Sequence, residues 1–149
     1  MKGKKKDKME ELKDKLQYEH KVQYYETDQM GIVHHSNYIR WFEEARTGIF
    51  EKIGAGYNRM ENIGILSPVL EVSAKYRSMT RYAEVVQIQM KVKAYNGIRI
   101  SLEYVICDKE SEEVKCTGES RHCFIDREGK LVCLSKAWPE GDELIKGIM

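Results

Sequence analysis

Asp28 stands three residues before Gly31 in the stretch YYETDQMGIVHHSNYIRWFEEART (24–47), just ahead of two histidines and a helix start at Ser36 or Asn37. A carboxylate can attack a carbonyl carbon or draw a proton from water. Gly31 lets the backbone turn tightly and approach a substrate closely. The unpaired N–H groups of a helix start, here around His35 and Ser36, favour negative charge and can hold an oxyanion. Taken alone, Asp28 reads first as a turn or cap residue, and His35 almost as readily as a structural imidazole bonded to backbone.

The elements that must position these residues are legible in the hydrophobic periodicity. YEHKVQYY (18–25) reads as a first strand. From Ser36 to Gly54, Tyr38, Phe42, Ala45, Ile49 and Ile53 line one helical face, widened by Ile39, Trp41 and Phe50. Such a helix must be wrapped. Gly48 inside it points to a close neighbour, Ser36 or Asn37 can cap its start, and Gly54 can end it. Alternating apolar residues then predict four long strands. Leu70 to Tyr76 forms the first and Val86 to Ala94 the second; after the Asn96-Gly97 hairpin signal, Ile98 to Ile106 forms the third. Val114 to Ile125 forms the fourth, the DREGK segment (126–130) reads as a turn, and the C-terminal tail adds a helical turn. The predicted class is α+β, an antiparallel sheet curled around one long helix.

The 149 residues fit one domain, with 42% hydrophobic and 33% charged residues. A net charge of +1 gives no global case for nucleic acid or membrane. Residues 1–16 hold seven lysines against Asp7, Glu10, Glu11 and Asp14, which makes 1–17 a charged tail ahead of a single domain over 18–149. No apolar run reaches the roughly 18 residues of a membrane span, and no secretory signal follows the lysines. Cys107, Cys116, Cys123 and Cys133 show no Cys-x-x-Cys spacing and read as reduced thiols in a cytoplasmic protein. His20 and His122 lie in strand patterns without partners at ligand spacing, so no metal site is expected.

Thr27-Asp28-x-x-Gly31-x-Val33-x-His35-x-x-Tyr38, a helix, and then AKYRSMTRYAE (74–84) entering a strand resemble the hotdog-fold acyl-CoA thioesterases of the 4-hydroxybenzoyl-CoA and Tol-Pal-associated type. The resemblance runs from about Tyr18 to about Lys136. It implies a hotdog fold, with two sheets joined edge to edge in a homodimer, often paired again into a homotetramer, and active sites at the interface. Carried onto this chain, it makes Asp28 the catalytic carboxylate and His35 the residue whose backbone N–H polarises the thioester carbonyl. Tyr24, Gly31, Val33, Tyr38, Arg77 and Arg81 would contact substrate, the two arginines at the phosphates of coenzyme A. Coenzyme A would be part of the substrate, and no separate cofactor is implied. One departure stands out: RSMTRYAE has no proline where many relatives carry one.

Thiolate is a good leaving group, so one carboxylate can suffice, as nucleophile through a mixed anhydride or as general base on water. Glu43 and Glu44 read as the polar side of the helix, although other hotdog thioesterases carry their catalytic carboxylate there. Two further functions fit a hotdog fold. An acyl-CoA hydratase or dehydratase would pair a histidine with a carboxylate across the site. A non-catalytic acyl-CoA-binding protein would lack the Asp28-type carboxylate. The acyl group, and the choice between coenzyme A and acyl-carrier protein, stay open at this level.

Overall fold

In the computed structural model, which describes residues 16–149 together with Leu12, an 18-residue helix lies against one face of a five-stranded antiparallel sheet. The tail expected over 1–17 lies outside the described residues, apart from Leu12, Leu16 and Gln17. The helix, α1 (Ser36–Ile53), follows strand β1 (Gln17–Lys21) and a 3-10 turn at Tyr24–Glu26; a short helix α2 (Tyr57–Asn62) comes next. Strands β2 (Val69–Tyr76), β3 (Val85–Tyr95), β4 (Arg99–Asp108) and β5 (Val114–Cys123) complete the sheet in the order β1-β3-β4-β5-β2. Helices α3 (Leu134–Ala137) and α4 (Pro139–Lys146) close the chain.

The central strands behave as their alternation predicts. Val86, Ile88, Met90 and Val92 from β3, and Ile100, Leu102, Tyr104 and Ile106 from β4, are buried under α1. From the helix come Tyr38, Trp41, Phe42, Ala45, Ile49 and Phe50, while Ile39 stays at the surface. Each large apolar side chain buried here contributes about 1.5–3 kcal/mol. Phe42 stacks on Tyr104 with ring centroids 4.5 Å apart. A Cβ at Gly118 would fall 2.4 Å from the Phe42 ring and 2.6 Å from the Ser73 carbonyl. A bare backbone on β5 therefore sets how closely the helix can lie. At Gly48 the expected neighbour is the ring of Tyr18, 2.8 Å from where a Cβ would sit.

Four expectations are corrected. The first strand stops at Lys21 instead of running to Tyr25: Val22 N–H still reaches the Glu84 carbonyl of the neighbouring chain segment (2.9 Å), but Gln23 N–H turns away to the Glu26 carboxylate (2.8 Å). Neither Ser36 nor Asn37 caps α1: the Ser36 N–H meets Nδ1 of His34 at 3.3 Å, and Asn37 donates to the Glu26 carbonyl at 2.8 Å. The alternating residues of β2 are only partly covered, since this is the edge strand and α1 touches it only in places, such as Tyr38 on Tyr76 (5.5 Å between rings); Ala74 is half-buried, but Leu70 is 55% exposed and Tyr76 49%. Finally, the C-terminus forms two helices rather than one turn. Pro139 starts α4, and Gly141 packs under the ring of buried Trp138.

Candidate active site

Local turn chemistry builds the Asp28 loop. Thr27 and Val33 form an antiparallel bridge, Asp28 N–H donates to the Ile32 carbonyl (2.8 Å), and Gly31 N–H donates to the Asp28 carbonyl (2.9 Å). Gly31 has φ +78°, the left-handed conformation that this tight loop demands. Asp28 Oδ1 accepts the Met30 N–H at 2.8 Å, an Asx turn that fixes the carboxylate plane. Oδ2 has no partner among the described residues.

A cavity of about 300 Å³ opens beside Asp28, lined also by Met30, Ile32, Val33, His35, Tyr38, Tyr76, Arg77, Ser78 and Met79. His35 precedes the first residue of α1, and its N–H has no partner among the described residues, so a positive dipole end faces the cavity. The His35 imidazole lies 4.2 Å from the ring of His34 and 6.1 Å from that of Tyr76. Tyr76 OH donates to the His35 carbonyl at 3.3 Å.

The opposite wall is the loop from Arg77 to Glu84. Buried Thr80 laces it to the Asp28 loop: its carbonyl accepts Val33 N–H (2.8 Å), and its hydroxyl accepts the Tyr38 O–H (3.0 Å). Burial pushes the Tyr38 hydroxyl above its ordinary pKa, a rise that the Thr80 bond partly offsets. Lys115, nearly buried, donates to the Met79 carbonyl at 2.9 Å and sits 3.7 Å from both Glu84 and Glu113. Its own carbonyl takes the N–H groups of Arg77 and Ser78.

Of the residues expected at the site, Asp28, Val33, His35, Tyr38 and Arg77 line one cavity. Gly31 shapes the loop behind it. Tyr24 lies in the 3-10 turn, 77% exposed and edge-on to Tyr82 at 5.7 Å, and does not line the cavity; neither does exposed Arg81.

This arrangement has relatives. A family model described as the thioesterase-like superfamily matches residues 22–143. The chain is 37% identical over 121 residues to YneP of Bacillus subtilis (strain 168), named as a candidate acyl-CoA thioesterase, covering 80% of this chain and 86% of that one. A DHNA-CoA thioesterase from Staphylococcus aureus superposes with a TM-score of 0.83 at 32% identity, over 89% of each chain. A hypothetical protein from Aquifex aeolicus superposes at 0.78 and 27% identity, over 89% of this chain and 98% of its own. The chain belongs to the thioesterase-like superfamily.

It is accordingly a thioester hydrolase with the hotdog fold, and the helix wrapped by an antiparallel sheet is that fold's signature. For a superfamily member, the cavity residues that sequence reasoning missed are instructive. Tyr76 and Met79 were invisible as site residues because each reads as an ordinary strand or loop residue. Thr80 meets Val33 of the Asp28 loop, and Lys115 the Met79 carbonyl on the opposite wall, only through the fold. No helix among the described residues is long and apolar enough to cross a membrane.

Proposed function

We propose that the protein hydrolyses acyl-coenzyme A thioesters, with Asp28 as nucleophile or general base and the His35 N–H as an oxyanion donor. The observation that carries this reading is the shared cavity: Asp28, only one of whose carboxylate oxygens is bonded among the described residues, lines the same space as His35 at the N-terminus of an 18-residue helix. A tetrahedral oxyanion at that terminus would gain from a dipole already in place, which lowers the barrier without reorganisation. Arg77 at the cavity wall supplies a cation for a substrate phosphate, and Tyr76, Tyr38 and the two methionines supply apolar contact for the acyl group. The names of YneP and of the Staphylococcus aureus DHNA-CoA thioesterase support coenzyme A as the thiol carrier. The 4-hydroxybenzoyl-CoA or Tol-Pal-associated type is the finer assignment we favour on the Asp28 to Tyr38 motif. The His35 ring lies against those of His34 and Tyr76 and forms no hydrogen bond or ion pair with Asp28 among the described residues, which weighs against the paired histidine and carboxylate of a hydratase.

The active unit in this reading is a cytoplasmic homodimer, doubled to a homotetramer, formed from the single domain that follows the charged tail. Among the described residues the outer edge of β2 has no partner strand; Val69, Leu70, Val72 and Tyr76 are exposed along it, and Tyr76 also lines the cavity. Such an edge invites strand pairing with a second copy. Light scattering at micromolar concentration should give a multiple of 17.4 kDa; an active monomer would contradict the dimer.

The test of activity is thiol release from a panel of short, long and aromatic coenzyme A esters, with an acyl-carrier-protein thioester alongside. Turnover of at least one coenzyme A ester is expected. Hydrolysis of the carrier-protein thioester alone would reassign the substrate, and hydrolysis of none would overturn the reading.

A further inference from the structure

Two residues before Asp28, a second carboxylate is built into the fold. Glu26 is 4% exposed, and both its carboxylate oxygens are engaged: Oε1 accepts the Gln23 N–H (2.8 Å) and meets Nε2 of His20 at 2.7 Å, while Oε2 accepts Trp41 Nε1–H at 2.6 Å. Its main chain is equally occupied. The Glu26 carbonyl accepts the His34 N–H at 2.9 Å and the Asn37 side-chain amide at 2.8 Å. Glu26 therefore grips β1 through His20 and α1 through Trp41 and Asn37. Through His34 it also grips the far end of the Asp28 loop. The loop begins at the next residue. Nothing in the proposed chemistry uses this carboxylate.

His20 extends the cluster. Its Nδ1 meets Glu44 Oε2 on α1 at 2.9 Å, and its ring stacks near Trp41 at 4.8 Å between centroids. Glu44 is about half exposed, and Tyr18 on β1 also bonds to it. Each of the two His20 contacts needs an N–H, because a carboxylate only accepts. A neutral imidazole has one N–H, so both contacts hold together only in the imidazolium form. Without the proton, the lone pair left on one nitrogen faces a carboxylate, and the half-exposed Glu44 is the partner free to leave. The titratable groups meeting the cluster are thus Glu26 from the 3-10 turn, Glu44 from α1 and Tyr18 from β1.

We propose that Glu26, His20 and Glu44 form a proton-dependent clamp that sets the distance between the Asp28 carboxylate and the N-terminus of α1. Glu26 and His20 are positioning residues, not catalytic ones. The clamp acts on the two parts that must meet one carbonyl group, and a misplacement of about 1 Å there can cost about a hundredfold in rate. This inference rests on the Asp28 reading above.

Three variants test it, with thiol release from the best coenzyme A ester as readout. Glu26→Gln keeps the shape but puts an amide where three donors converge. Its kcat should fall about tenfold to a hundredfold, with KM changed less than about threefold, because the contacts to coenzyme A are untouched. Glu26→Asp, which restores the charge, should recover part of kcat. Glu44→Gln sits at a half-exposed position and can donate to a neutral His20, so the ratio of its kcat to that of the wild type should rise with pH. Wild-type kcat in folded Glu26→Gln would overturn the clamp, as would loss expressed only in KM. Should Glu26→Gln fail to fold, a pH-independent ratio for Glu44→Gln overturns it instead. Absence of any turnover by the wild type would strike the proposed function and not the clamp.

Discussion

Glu26 and Asp28 are two residues apart and are treated by the fold in opposite ways. The Glu26 side chain is buried and accepts from a backbone amide, an indole and an imidazole. Burial pushes its carboxyl up, but the Gln23 N–H, His20 and Trp41 bonds outweigh that and hold it below the ordinary glutamate value. Asp28 is half-buried and takes one bond, from the Met30 N–H of its own turn. The difference separates structure from chemistry. A buried carboxylate with both oxygens held by donors organises its neighbours and is not free to attack. One held by a single oxygen keeps the other free for a carbonyl carbon or a water.

Breaking the Glu26 side should cost stability first. Trp41→Ala removes a nearly fully buried indole and leaves Glu26 Oε2 without its donor. A loss of about 3–5 kcal/mol is expected, read as a fall in melting temperature on the order of 10 °C. A second buried network runs deeper, and it leaves His122 Nδ1 without a partner among the described residues. Arg46 donates to the hydroxyls of Tyr57 (2.8 Å) and Tyr104 (3.1 Å), and Tyr104 and Ser120 link it to His122 Nε2. Burial, then the Arg46 charge, push the His122 pKa down to about 4. The folded state thus binds this proton less readily than the unfolded chain. Stability from this group is intact above pH 6.5 and drains away as pH falls from there toward 4. The loss is at most on the order of 3 kcal/mol. Denaturant titrations at pH 7 and pH 4.5 should show a smaller acid loss in His122→Gln than in the wild type.

Gly118→Ala sharpens the comparison by moving the helix without touching either carboxylate. The new methyl meets both the Phe42 ring and the Ser73 carbonyl, so about 1–3 kcal/mol of stability should be lost. Activity should fall too, since α1 carries the His35 N–H. On the open side of the site the effects are smaller. Arg77→Ala should raise KM about threefold to tenfold and leave kcat within about twofold, as expected for a remote contact. Arg81→Ala, outside the cavity, should do less. Equal effects on kcat in both would move the phosphate contact elsewhere.

These contrasts also explain what the amino-acid order could disclose. The Asp28 loop was legible because its logic is local: a carboxylate, a glycine with positive φ and a helix start fall within nine residues. The buried faces of α1, β3 and β4 were legible for the same reason, through their repeat. Glu26 was not. Its partners His20, Trp41 and Asn37 approach from both directions along the chain, and only folding brings them together. Thr80 and Lys115 escaped notice likewise, and exposed His34 gave no hint that its ring would meet the Ser36 N–H. Edge strand β2 alternates as well as any central strand does, so periodicity could not reveal that a single chain leaves it only partly covered. Tyr24 matched its place in the motif, yet the 3-10 turn that Glu26 organises points it into solvent.

The central claim is that the free oxygen of Asp28 does the chemistry while its surroundings merely hold it. Thiol release by Asp28→Asn, set beside binding of a non-hydrolysable acyl-coenzyme A analogue, tests that most directly. The variant keeps the Asx turn, since the amide oxygen can still accept the Met30 N–H. Turnover should fall by about 10²–10⁴, with the melting temperature and the analogue's Kd nearly unchanged, because the charge acts in the transition state. Wild-type turnover in Asp28→Asn would contradict the account and leave Asp28 as a turn residue.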